Sequence, residues 1–255
     1  MLSGYELVFA GLAAVAAGCI NAIAGGGTLI SFPALVALGI PEVTANITNT
    51  VALCPGYLGG ALAQRKDLTG QGRRLWILLP AGIAGGIIGA ILLLFISGDV
   101  FRVLVPFLIL LAVALLAVQN RVRNWLRERS ARIGGTRGDD RKAILPLGLA
   151  AVYGGYFGAG LSVIVLSVLG LVFDDSLTRL NALKQCLSLV INVAATIFFL
   201  FSGMVLWPVV LVMAVGALAG GAIGGRVAGC INPDLLRWTV VTIGGAIGIY
   251  LLVSL

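Results

Sequence analysis

The sequence contains no histidine. The commonest metal ligand and the usual near-neutral proton carrier are therefore missing, which tells against transition-metal sites and histidine-based catalysis. Cysteine is scarce. Cys19, Cys54, Cys186 and Cys230 stand singly, without a C-x-x-C pair, in or beside apolar stretches where a free thiol serves as a small hydrophobe. Charge is scarcer still. Only 11% of residues are Asp, Glu, Lys or Arg, less than half the roughly 25% of a soluble globular chain. The ten acidic residues all fall at segment ends or in loops. Carriers of protons or Na⁺ commonly place a carboxylate mid-membrane, so a cation substrate is disfavoured.

Apolar runs dominate what is present. "LWILLPAGIAGGIIGAILLLFI" (75–96) exceeds the ~20 residues that span a bilayer, and comparable segments follow one another at 4–24, 28–40, 44–63, 100–119, 143–157, 160–173, 176–202, 205–229 and 234–254. The expected fold is all-α and polytopic, set in a lipid bilayer. No Lys or Arg precedes the first apolar stretch, so it reads as a retained membrane helix and not a signal peptide.

The net charge of +7 would suggest nucleic acid in a soluble protein. Here the basic residues concentrate in "QRKDLTGQGRR" (64–74) and "RVRNWLRERSARIGGTRGDDRK" (121–142). Loops of that kind set membrane orientation and meet anionic headgroups. No nucleic-acid partner is expected.

The two halves of the chain match. A shift of 135 residues lays "AGIAGGIIGAIL" (81–92) on "GALAGGAIGGRV" (216–227), Asn46 on Asn181, Asn49 on Lys184, and "DVFR" (99–102) on "DLLR" (234–237). The basic loop 64–74 then falls on the uncharged "SGMVLWP" (202–208). The positive bias changes sides between halves, which predicts two inverted repeats, 1–120 and 143–255, joined by a basic cytoplasmic linker, 121–142. Inverted repeats recur in secondary transporters.

Each half opens with an apolar segment, a glycine knot and a shorter apolar segment: "NAIAGGGTLISFPALVALGIP" (21–41) and "VYGGYFGAGLSVIVLSVLGL" (152–171). Glycine is about 1 kcal/mol worse than alanine inside a helix, so these knots predict a broken helix or re-entrant hairpin, followed in each half by three spanning helices. Broken backbone at membrane depth survives only when buried in protein or lining a polar cavity, and freed N–H groups at half-helix N-termini attract anions. Gly25, Gly26, Gly27, Thr28, Gly158 and Gly160 are accordingly the candidate cradle for a small anionic substrate. The glycines at 82–89 and 216–229 read instead as helix-packing positions.

Polar residues sit in the helix after each knot. Asn46, Thr48, Asn49 and Thr50 occupy the first; Asn181, Lys184, Gln185, Ser188 and Asn192 share one face of the second. Lys184 has no carboxylate three or four residues away, which makes an anion its natural partner. Snorkelling of its amine to the interface is the alternative.

These segments resemble a known family. "AGGGTLISFPALVALGIPEVTANITNTVAL" with the basic "QRKDL", and later "GGYFGAGLSVIVLSVLGL" with "NALKQCLSLVINVAATIFFLFSGMVLW", are similar to the two half-signatures of the TauE/SafE family of sulfite and organosulfonate exporters. The resemblance implies a multi-pass permease of the cell membrane that moves sulfite, sulfoacetate or related anions. It carries the glycine motif to Gly25, Gly26, Gly27, Gly158 and Gly160, and the polar positions to Thr48, Asn49, Lys184 and Asn192. Family members often show a proline where this chain has Ala159. No cofactor or metal is expected. Import of an anionic organic acid and a non-transporting assembly role are the alternatives, and a homo-oligomer stays open.

Overall fold

A computed structural model describes residues 3–23, 26–132, 140–227 and 233–254. Among them the regular structure is helical: α1 (Gly4–Ile23), α2 (Thr28–Ala37), α3 (Glu42–Ala63), α4 (Gly72–Phe95), α5 (Gly98–Arg132), α6 (Ile144–Tyr156), α7 (Leu161–Val172), α8 (Leu177–Leu200), α9 (Trp207–Val227) and α10 (Pro233–Val253). Among the described residues, six helices are long and apolar enough to cross a membrane: α1, α4, α5, α8, α9 and α10. The molecule is a polytopic membrane protein. α3 has 22 residues, enough to cross at 1.5 Å per residue, but with its polar "TANITNT" stretch it is not among those six.

One boundary differs from the expectation. The basic linker does not begin as a loop at residue 121, because α5 continues through "RVRNWLRERSAR" to Arg132. The segment is rich in helix-favouring Arg, Leu, Glu and Ala and holds no helix breaker. "IGGTRG" follows, and 133–139 lie outside the described residues.

The knots break the chain where glycine content predicts. Gly27 abuts the carbonyl of Ala17, ten residues earlier, so α2 folds back on α1. α6 and α7 form the corresponding pair, with Gly158 and Gly160 in the left-handed region at φ 77° and 76°. An L-residue there costs ~1–2 kcal/mol. Phe32 of α2 meets Phe157 at the second break edge-to-face, ring centroids 5.3 Å apart, and both are buried. The two breaks are clamped together by this contact.

Helix starts repeat across the halves. α3, α4 and α5 begin at Glu42, Gly72 and Gly98; α8, α9 and α10 begin at Leu177, Trp207 and Pro233, each 135 residues later. The packing repeats by exchange: α1 lies along α9, and α6 along α4. Glycine lets these backbones touch. A Cβ on Gly216, Gly220 or Gly224 would strike the carbonyl of Gly11, Val15 or Cys19, and one on Gly89 would strike that of Val152. Gly85, Gly86, Gly89, Gly216, Gly220 and Gly224 are packing glycines.

Corresponding helices cross head to tail. Gly248 packs on Leu110, Gly245 on Val113, and Asn120 bonds Asp234, so α5 and α10 run antiparallel. In α3 and α8, Asn181 near the start of one bonds Gln64 just past the end of the other. At the opposite end Thr48 Oγ1 accepts from the Leu206 N–H.

Candidate functional site

The site is built from the two breaks. Asn21 of α1, Gly26, Thr28 of α2, Tyr57 of α3, Leu116 and Gln119 of α5, Gly158, Gly160 and the first turn of α7 (Leu161, Ser162, Val163) line one small cavity. The first turns of α2 and α7 thus open onto the same space from different halves. With about 10 Å³ free, it has room for about one water.

Its donors include main-chain groups. At the second break, none of the amide N–H groups of Ala159, Gly160 and Ser162 has an acceptor among the described residues. Ala159 lies between two glycines of positive φ. Tyr153 on α6 fixes the loop by donating its hydroxyl to the Ala159 carbonyl at 2.6 Å. Ser162 is the second residue of α7, where the helix dipole adds positive potential.

The lining side chains are neutral. Asn21, Thr28, Tyr57, Gln119 and Ser162 are polar, and no Asp, Glu, Lys or Arg is among them. Gln119 Oε1 is buried without a hydrogen-bond partner. Among the described residues, no group of three Cys, Asp or Glu could hold a metal ion.

The sequence candidates divide. Gly26, Thr28, Gly158 and Gly160 come together in this cavity. Gly27 is buried against α1 in a packing role, and Gly25 lies outside the described residues. The polar faces of α3 and α8 do not line this cavity. Asn46 Nδ2 donates to the Tyr156 carbonyl at 2.8 Å, capping α6, while its Oδ1 and that of Asn49 are buried and unpartnered. Thr48 is tied to the Leu206 amide. Asn192 Nδ2 donates to the Ser188 carbonyl within α8, and Asn181 to Gln64. Gln185 is half-buried on α8.

Lys184 is also half-buried and absent from the cavity wall. It lies within electrostatic reach of Arg123, which sits one turn beyond Gln119 on α5. Lys184 and Arg123 are two neighbouring cations on the linker side, outside the cavity wall. The repeat mates Asn49 and Lys184 fall toward opposite ends because α3 and α8 cross head to tail.

Ion pairs stand at both ends. Near the basic loop, Asp175 accepts from Arg74 at 2.6 Å and Arg179 at 3.0 Å, and Arg179 also donates to the Thr69 carbonyl. Burial alone would raise the Asp175 carboxyl, but bonds from Arg74, the Ser176 amide and Arg179 outweigh it and hold the group below its ordinary 3.8. At the other end Arg102 pairs with Glu42 at 3.0 Å beside a recess of about 330 Å³.

Sequence reasoning missed Asn21, Tyr57, Gln119 and Ser162. Three of them carried a weak signal: Asn21 lies four residues before Gly25, Ser162 lies two residues after Gly160, and Gln119 closes an apolar run; Tyr57 carried none.

The chain matches the sequence profile of the family described as "Sulfite exporter TauE/SafE" over residues 10–251. A "Probable membrane transporter protein" of Haemophilus influenzae is 29% identical over 227 residues, covering 87% of this chain and 85% of the relative. "Probable membrane transporter protein YfcA" of Escherichia coli K12 is 26% identical over 241 residues, 94% of this chain and 87% of the relative. "Probable membrane transporter protein ORF9" of Sinorhizobium sp is 29% identical, covering 98% and 94%. No solved structure matches the chain.

Proposed function

Because the chain belongs to the sulfite exporter TauE/SafE family, a family of membrane transporters, we propose that it exports small sulfur oxyanions, sulfite or organosulfonates, through the cavity between its two glycine breaks. The observation that carries this reading is the convergence of Gly26, Gly158 and Gly160 on one space bordered by unbonded amides.

The donor set suits a negative guest. Backbone N–H groups and neutral hydroxyls and amides offer hydrogen bonds without a fixed cation, so the guest is held and can leave. Lys184 and Arg123 lie on the linker side, where positive potential gathers anions from solution. Asn49 and Asn46 lie toward the other end and offer amides on that path.

In this reading the halves are oppositely oriented repeats. The head-to-tail crossing of α5 with α10 and the shared 135-residue spacing support it. Alternating access then follows from rocking one half against the other around a fixed site. The ion pairs Asp175–Arg74 and Glu42–Arg102 close the two ends. Outward movement of a monoanion needs no coupling ion, since an inside-negative potential favours it by about 2.3 kcal/mol per 100 mV.

Purified protein in liposomes tests this. Loaded sulfite, a singly charged organosulfonate and a carboxylate of similar size are followed under a clamped potential. Flux of the sulfur anions that rises with the potential agrees with the reading; flux of none of them, or of cations alone, overturns it.

A further inference from the structure

Amides account for the anion, but not for Gln119. Among the described residues its Oε1 is buried without a hydrogen-bond partner, and no charged side chain lines the cavity. A fully deprotonated oxyanion placed there would set negative oxygen against carbonyl oxygen. A ligand that carries an O–H or N–H beside its anionic oxygens satisfies both walls at once.

Charge magnitude points the same way. The desolvation cost of an ion rises with the square of its charge, and this cavity offers no full positive charge in compensation. A dianion is therefore excluded far more strongly than a monoanion.

We propose that Gln119 is the specificity-determining residue of the cavity: it accepts a hydrogen bond from the ligand, and the site takes oxyanions of single charge that also donate. Hydrogen sulfite fits; the sulfite dianion does not. A hydroxyalkylsulfonate fits through its O–H. A simple alkylsulfonate binds more weakly, because it leaves the Gln119 acceptor unpaired. The inference rests on the anion reading above.

The test uses the purified full-length protein and ligand-induced thermal shift. Sulfite is titrated at a series of pH values, with methanesulfonate as a monoanion that has no proton to donate. The apparent sulfite affinity should fall about tenfold per pH unit once the dianion predominates, as expected when only the monoanion binds, while methanesulfonate affinity stays flat. Gln119→Met, close in shape but without the amide, should weaken hydrogen sulfite about tenfold, the loss of one hydrogen bond, and should strengthen methanesulfonate, whose oxygens then no longer face a carbonyl oxygen. Sulfite affinity that holds or rises at alkaline pH overturns the proposal. So does Gln119→Met weakening both ligands alike, which would mean the amide donates, or weakening neither. The wild-type pH profile stands alone if the variant fails to fold. Binding of neither anion at any pH would instead defeat the anion reading itself.

Discussion

Gly26 and Gly160, from different halves of the chain, both have positive φ, 88° and 76°, and line one cavity. Their backbone conformation is the reason they are glycine, and their shared cavity is the reason the breaks matter.

Gly160→Ala separates strain from site. Alanine at this φ costs ~1–2 kcal/mol, and its Cβ would press on Leu115 and Ala112 at 3.3 and 3.4 Å. Gly203, at φ 70° with open space around it, is the control. Gly203→Ala should lower the melting temperature comparably and keep anion flux; Gly160→Ala should lose most of its flux. Equal flux in the two variants would deny the break a role in binding.

The packing glycines behave otherwise. Gly89→Ala drives a Cβ into the Val152 carbonyl, whereas Gly221→Ala meets nothing within 4 Å. Overpacking of this kind costs about 1–3 kcal/mol. Gly89→Ala should reduce folded, monodisperse protein and its melting temperature, with Gly221→Ala close to wild type. Scanning fluorimetry in detergent reads both.

How much of this was legible in the sequence depends on which physics is local. The breaks were legible because closely spaced glycines, three in a row at 25–27 and Gly158 with Gly160 in the second half, oppose a helix whatever surrounds them, and the 135-residue shift fell on the helix starts that formed. The cavity wall was not. Tyr57 and Gln119 lie in apolar helices and reach the site only through tertiary packing of α3 and α5. Lys184 stands out in the sequence as a lone lysine on a polar helix face, but its neighbour Arg123 lies on an extension of α5 that charge composition alone assigns to a loop.

Lys184→Gln should act on capture more than on turnover. With the amine outside the cavity wall, flux at saturating anion should persist, while the half-saturating concentration on the linker side rises by up to about tenfold at low salt. Added salt should narrow the gap, since a Debye length is about 8 Å at physiological ionic strength. Complete loss of saturating flux would return Lys184 to the binding cavity.

The Asp175 pairs should resist mild acid. A carboxyl held below its unfolded value adds stability that is present above about 3.8 and disappears only as pH falls through the lower folded value. No stability change from this group is expected between pH 5 and 8. Asp175→Asn should cost on the order of 1 kcal/mol once solvent screening is allowed for. It should also favour opening at the basic-loop end, read as faster labelling of a cysteine placed there.

Anomalous diffraction from crystals grown with 2-bromoethanesulfonate tests the central claim most directly. The account predicts a bromine peak in the cavity between Gly26 and Gly160, with sulfonate oxygens within hydrogen-bond distance of the Ala159, Gly160 and Ser162 amides. A peak found only beside Lys184 and Arg123, or beside Arg102, with the cavity still closed, would contradict it.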